Sequence, residues 1–407
     1  MTAPATTASA EDLRAAMVKE LTRLQWVRTE PVAAAMGALP KETFLPGTDL
    51  PLAYSVQDTV PVKYDEGGRT LSSASAPWLV AYMLEQARLR PGDRALEIGG
   101  GVGVNAGYLG QLVGPRGRVV AVEIDADLVD GARTALAATG ITNVEMRAGD
   151  GHFGAADQGP YGAVLVTAQA TDLAAAWCEQ TTAGGRIVVP LTLLGLSRCY
   201  TFERSGHHWT SSRQEVCGFV AMQGEGAHRS ERIDLEGSAR LRVTDTLPCP
   251  AEDIARLAAL PPERAWSGVK VARNEPVITH LDQYLSTRLI PYLRYFGPAR
   301  RTDEGGERLA WLPIGHSATV THGTLAYVAM RELDERFHEF GVFAHGPKAD
   351  TVADELCELI RVWDRDFRGG PDAVVRAFPA GTPDDELPEG RRVDRPETRF
   401  VITQPSR

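Results

Sequence analysis

The chain is poor in cysteine, and the five it has, Cys178, Cys199, Cys217, Cys249 and Cys357, are scattered. None forms a C-x-x-C pair, and an odd count does not fit a disulfide framework, so buried reduced thiols are expected. Long apolar runs are missing too: no stretch reaches the roughly 20 residues that a membrane span needs. Residues 1–10, Met-Thr-Ala-Pro-Ala-Thr-Thr-Ala-Ser-Ala, carry no basic residue and no apolar core, which argues against a secretory signal and for a cytoplasmic protein without a membrane partner. Positive charge is in deficit. With 43 Lys and Arg against 53 Asp and Glu the net charge is −10. Nucleic acid is held by clustered Lys and Arg, so it is not an expected partner. An acidic substrate would have to be met by local positive groups rather than by the overall field. Metal-ligand spacing is also lacking. His280, His316, His322 and His345 follow no ligand pattern, and the adjacent His207 and His208 point to opposite faces of an extended chain, so no metal is expected. No Ser-His-Asp or Cys-His arrangement is evident.

What is present is a glycine turn in a regular setting. At 407 residues the chain has room for about two domains, and 43% hydrophobic with 24% charged residues is ordinary for a globular protein. Residues 94–103 read Arg-Ala-Leu-Glu-Ile-Gly-Gly-Gly-Val-Gly. The apolar run 95–98 predicts a buried strand with Glu97 near its carboxyl end. Gly99, Gly101 and Gly103 follow at alternate positions, and a helix is expected over 104–113. Strand, glycine turn and helix open a nucleotide site at the strand ends of a doubly wound sheet. The dinucleotide fingerprint G-x-G-x-x-G is not met, because its third glycine falls on Val104.

Two further acids fall at strand ends. Residues 118–123 predict a second strand ending in Glu123, which is placed to accept ribose hydroxyls. A third strand near 144–147 is followed by Ala148-Gly149-Asp150-Gly151. The acid-x-Gly-x-Gly-x-Gly spacing resembles motif I of methyltransferases that use S-adenosylmethionine (SAM). That ligand has no phosphates but carries ammonium and sulfonium charges, which suit an acid such as Glu97. In that resemblance Asp150 faces the adenine amino group. Ile124, Gly151 and Thr167 complete the expected cofactor-binding set with Glu97, Gly99, Gly101, Gly103, Glu123 and Asp150. The product left after transfer is S-adenosylhomocysteine.

A longer ordered match narrows the family. Residues 35–46, Ala-Met-Gly-Ala-Leu-Pro-Lys-Glu-Thr-Phe-Leu-Pro, are followed by Ala53-Tyr54, Ser73-Ala74-Ser75-Ala76-Pro77 and Leu89-Arg90-Pro91-Gly92-Asp93. With motif I, 149–151, 161–170 and 184–190, the set resembles the protein-L-isoaspartate O-methyltransferases over residues 10–225. There a serine in the block before motif I lies near the transferred methyl group. The resemblance implies that role for Ser75, with Ser73 beside it. The departures cluster where the family receives substrate: Ser73-Ala74-Ser75 for Thr-Ile-Ser, Trp78 for a frequent His, an insertion at 65–69, and Thr171 for a proline. They bear on the substrate more than on the reaction.

The family methylates an isoaspartyl carboxylate in damaged protein, and the ester closes to a succinimide. Some extended bacterial relatives methylate an aspartate side chain in a modified, ribosomally made precursor peptide (lanthipeptide and graspetide pathways), giving aspartimide and sometimes isoaspartate. The extension after residue 225 makes such peptide tailoring the leading expectation. Generalist isoaspartyl repair is the alternative, and a non-catalytic SAM-binding partner is a third.

The expected fold is therefore α/β: a Rossmann-like methyltransferase domain over 1–225, a junction over 226–250 and a smaller α+β peptide-recognition domain over 251–407. A loose tail is expected over 1–9, with Ser9 and Asp12 capping a helix whose apolar face is Leu13, Met17, Leu21 and Leu24. A second short helix is expected over 31–39. Further strands are expected at 161–166, 186–189, 198–202 and 215–220, the last two antiparallel, with a helix over 173–180. In the second region helices are expected at 250–260, 281–295 (broken near Pro291) and 350–367. A turn is expected at Gly305-Gly306, and strands at 308–313, 318–321, 325–331, 373–378 and 399–402. Segments 315–316 and 341–347 are expected as loops able to meet a peptide, and 379–394 as a mobile loop.

Overall fold

The computed structural model describes residues 8–228, 231–276, 278–297 and 308–407. The expected turn at Gly305-Gly306 and most of the expected N-terminal tail lie outside these residues.

A helix over Ala10–Arg23 starts at a capping box: the Ser9 side chain accepts from the Asp12 N–H while the Asp12 carboxylate accepts from Ser9. Its Met17 and Leu21 are buried. With Glu30–Ala38, Pro77–Ala87, Val104–Val113 and Ala126–Ala138, it covers one face of a sheet.

One half of that sheet, out to its edge, is parallel: Thr181–Leu193, Tyr161–Val166, Arg94–Ile98, Arg118–Glu123 and Val144–Ala148 lie side by side in that order, the last at the edge. Leu96 sits between Val120 and Val164. Alternate strand residues feed two cores, as a pleat requires. Ala95, Val119, Ala121 and Leu165 join the helices, whereas Leu96, Ile98, Val120 and Val164 join a second cluster on the opposite face.

That second cluster is where the C-terminal region enters. It runs unbroken from Leu96 and Ile98 through Tyr200, Phe202 and Trp209 to Tyr284, Val352 and Trp363. Antiparallel strands Leu196–Ser205 and His208–Val216 extend the first sheet, and Val374–Pro379, Thr398–Thr403 and Arg391–Asp394 extend it further. The strands expected at 373–378 and 399–402 thus form, but in the first sheet rather than in a separate domain. A second sheet, wholly antiparallel, has the order Arg232–Asp234, Arg240–Val243, Leu293–Phe296, His316–Thr321, Thr324–Glu332, Phe337–His345, Glu263–Ala272. Helix Ala349–Asp366 lays Val352, Leu356, Ile360 and Trp363 against the shared core.

Several local expectations are corrected. The leucine row 281, 285, 289, 293 is buried throughout, but the helix spans only Ile278–Ser286 and Leu293 lies on a strand. A buried apolar run does not distinguish helix from strand. The expected strand at 308–313 is reduced to an isolated bridge, Leu309 to Arg331. Gly341 lies in a buried strand instead of a loop, where an added Cβ would come within 2.3 Å of Trp266, and His316 is 1% exposed. Within 379–394 there is a helical turn at Asp384–Glu386, a strand at Arg391–Asp394 and an Arg391–Asp245 ion pair. The expected junction holds two strands of the second sheet. The strand expected at 215–220 ends at Val216.

Candidate active site

Strand Arg94–Ile98 is the point where strand order reverses, with the next strand in the chain on one side and the fourth on the other. Ligands bind in the crevice at such a point. A cleft of about 630 Å³ opens there, and Gly99, Gly101, Gly151, Glu123, Ile124 and Thr167 are on its wall together with Ser73 and Ser75.

Gly99 and Gly101 have φ of +87° and +50°, a region that L side chains avoid. A Cβ on Gly99 would also lie 3.2 Å from Thr167 Oγ1, and one on Gly151 would lie 2.5 Å from Ile98 Cγ2. Thr167 Oγ1 is 2.8 and 2.7 Å from the carbonyl oxygens of Ile98 and Gly99, so it donates to the turn itself.

Glu123 is 8% exposed and accepts from the Gly101 N–H at 2.7 Å and the Asp125 N–H at 3.0 Å. The turn thus aims the carboxylate at the cleft. Glu97 is placed differently from the expectation. It is 1% exposed and lies beneath the turn rather than on the cleft wall, with Oε1 accepting from Asn105 at 3.0 Å. Its Oε2 is buried without a hydrogen-bond partner among the described residues. Burial pushes its pKa up to about 8, and the nearby Glu123 adds to the rise. Gly103, expected as a cofactor contact, instead lets two helices approach: a Cβ there would be 2.9 Å from Ala132 Cβ. Gly100 works similarly against Met146 and Ala121, a role the alternate-glycine pattern did not reveal.

Asp150, expected to face the adenine, is not on the cleft wall either and lies behind Gly151. Its Oδ1 accepts from the His152 N–H at 2.9 Å and its Oδ2 from the Glu225 N–H at 2.7 Å. Gly224, φ +74°, permits that second contact, since a Cβ there would be 2.2 Å from Oδ2. Sequence reading gave this segment no part in the site, nor residues 219–223, which form one wall of the cleft. No local spacing signals it, because the partners are 75 residues apart.

Ser73 lies on the hairpin Val60–Tyr64 with Thr70–Ala74, opposite Pro61, and Ser75 follows it. Both serines line the cleft and also an adjoining cavity with Trp78, Gly218 and Phe219. Neither hydroxyl has a hydrogen-bond partner among the described residues. Among those residues, no group of three or more His, Cys, Asp or Glu is placed to hold a metal ion, and no helix is long and apolar enough to cross a membrane.

A glycine turn without room for side chains, a buried acid beneath it and a second acid on the cleft wall fit a cationic nucleoside rather than a dinucleotide. Together with the parallel sheet they define an SAM-dependent methyltransferase. The comparisons with known proteins then name the family. Residues 12–227 match the model of the protein-L-isoaspartate(D-aspartate) O-methyltransferases, and the chain belongs to that family. It is 34% identical to the protein-L-isoaspartate O-methyltransferase of Koribacter versatilis over 54% of this chain and 94% of that one. To the Thermotoga maritima protein of the same name it is 37% identical over 49% of this chain and 63% of that one. A solved structure of a protein-L-isoaspartate O-methyltransferase aligns over 85% of this chain and 92% of its own, with a TM-score of 0.48 and 22% identity.

Proposed function

We propose that this chain methylates the carboxylate of an isoaspartyl residue in protein or peptide. The observation that carries the reading is the pair of unpartnered hydroxyls, Ser73 and Ser75, at the join between the cofactor cleft and the adjoining cavity. Gly99, Gly101, Glu123, Ile124, Gly151 and Thr167 would hold SAM, with Asp150 behind Gly151 and Glu97 buried below the turn, where a cationic ligand would favour its ionised form. When bound, that group supplies an electrophilic methyl on a sulfonium. A carboxylate acceptor is already a nucleophile at neutral pH, so the protein needs no strong base. Its task is alignment, worth up to roughly 7–11 kcal/mol in ideal cases. A serine hydroxyl donates to one carboxylate oxygen and leaves the other free for the methyl. Trp78 and Phe219 give the acceptor cavity an apolar wall.

The two relatives named above bear the isoaspartyl name, which favours repair-type activity over the tailoring of a modified precursor peptide. Tailoring stands as the second reading, supported by a C-terminal region that shares a core with the catalytic sheet. Mass spectrometry of a short isoaspartyl peptide with SAM tests the proposal. The expected result is gain of one methyl, then its loss as the succinimide forms. Methylation of the aspartyl counterpart alone would overturn the repair reading, and methylation of neither peptide would overturn both readings for free short peptides.

A further inference from the structure

The chain carries a net charge of −10, yet one cavity is lined by three arginines. It measures about 660 Å³ and lies where the first sheet meets the second. Arg198, Arg242 and Arg294 are on its wall, and Asp282 is the one acid among its lining residues.

Arg294 is accounted for. It is 1% exposed, pairs with Asp282 at 2.7 Å, and donates to Ile314 O at 2.8 Å and Gly315 O at 2.7 Å. The other two are not. Arg198 is 6% exposed and donates to Thr279 O at 2.8 Å, with no carboxylate in ion-pair reach among the described residues. Arg242 stands directly opposite Arg294 in the strand pair, half-buried, over the Phe296 ring at 5.3 Å. It has neither a hydrogen bond nor an ion pair among the described residues. Like charges opposite one another across a ladder destabilise it, and half-buried cations without a counter-charge add to that cost. Burial, Arg294 and Arg240 all hold the Arg242 pKa below its ordinary value.

Position supplies the second argument. Residues 195–198 follow the carboxyl end of Thr181–Leu193, which is parallel to Tyr161–Val166. The arginine cavity therefore opens at the same end of the sheet as the cofactor cleft. One stretch of chain links the sites in order: Val216 and Cys217 line the arginine cavity, Gly218 to Val220 the acceptor cavity, and Phe219 to Gln223 the cofactor cleft. At about 3.3–3.6 Å per residue, Cys217 to Val220 spans at most roughly 10 Å, within the reach of about three residues of an extended peptide.

We propose that this cavity binds a carboxylate of the peptide substrate, an acidic side chain about three residues from the methyl-accepting one. The planar guanidinium fork suits a carboxylate bidentately, and Arg242 brings the free charge. The inference rests on the methyltransferase reading above.

The test uses full-length protein and isoaspartyl peptides with Glu or Gln three residues before or after the isoaspartate. Binding is measured by calorimetry with S-adenosylhomocysteine present, and methylation by initial rates. In one of the two placements the Glu peptide is expected to bind about tenfold more tightly, with a matching gain in kcat/KM. Arg242→Gln should bring that ratio within twofold and leave the Gln peptide unchanged, and Arg242→Lys should retain part of it, with thermal unfolding verifying both variants. Equal binding of Glu and Gln peptides in both placements, or no binding of any, overturns the inference. So does Arg242-dependent binding of inorganic phosphate without any Glu preference, which would mark a site for free anions. If no peptide is methylated, the proposed activity fails, while the calorimetric Glu-to-Gln ratio still decides the cavity.

Discussion

Glu97 and Arg294 are equally buried, each 1% exposed, and the molecule treats them in opposite ways. Beneath the glycine turn, Glu97 has Asn105 for one oxygen and no cation nearby, so burial raises its pKa to about 8. In the second sheet, Arg294 meets Asp282 from helix Ile278–Ser286, and Asp282 also accepts from Ser317 at 2.6 Å. A buried charge costs heavily unless it is paired. Where pairing is internal, as in the second sheet, the charge holds structure together. Where it is withheld, as under the turn, burial favours the protonated carboxyl, and under the proposed function a cationic ligand would supply the counter-charge. The same distinction separates Arg294 from its neighbour Arg242.

The most severe way to break this comparison is to divide the molecule. A chain ending near residue 230 loses Val374–Pro379, which pairs with Thr210 and Trp209, and opens the core between Phe202 and Trp363. It is expected to show no cooperative unfolding transition by circular dichroism. A folded, SAM-binding fragment would mean that the two regions are independent after all.

Trp363→Ala removes a side chain with no exposed area at the centre of the shared core. A loss of about 3–5 kcal/mol in urea unfolding is expected. SAM affinity of the folded variant should stay within about twofold, because the change lies on the structural side. A tenfold drop would merge the two roles.

Asp150→Ala acts on the ligand side. Hydrogen bonds to a charged group are worth about 1.5–3 kcal/mol, so SAM affinity measured by calorimetry should fall about tenfold or more, and loss of the contacts with the His152 and Glu225 N–H groups should lower the unfolding midpoint as well. Unchanged affinity would take Asp150 out of the site and leave it as the anchor of the Glu225 backbone alone.

Glu97 is tested through pH rather than through a contact. Its folded pKa is near 8 against an ordinary 4.5, so the folded state holds the proton longer. The stability tied to that proton is fully present below pH 4.5 and lost as pH rises through 8, with a slope of at most about 1.4 kcal/mol per pH unit. Urea unfolding of ligand-free protein from pH 5 to 8 should show the slope, and Glu97→Gln should flatten it. An identical slope in the variant would mean that Glu97 is already ionised and compensated.

Legibility followed sequence distance. The glycine turn, the strand-end acids and the Ser73–Ser75 block are local patterns, and the structure brings them to one crevice save Gly103, which packs between helices, Glu97, which lies just below, and Asp150, which lies behind Gly151. The helix at Ala349–Asp366 was readable because its apolar period is long and amphipathic. Strand Phe337–His345 was not, since Gly341 reads as a loop until Trp266 is known to lie over it. The wall at 219–223 and the Asp150–Glu225 contact left no trace in local spacing.

The sequence by itself determined the local chemistry: where the chain must turn with positive φ, which strands end in carboxylates, and which hydroxyls precede the first glycine. These follow from residue type and spacing within a few positions. Only the tertiary structure decided that the last strands complete the first sheet, that Asp282 neutralises Arg294, and that Arg242 remains without a partner among the described residues. Strand edges and buried charges choose partners by what is left uncovered once the chain has folded back, and that choice is written in no single stretch of it.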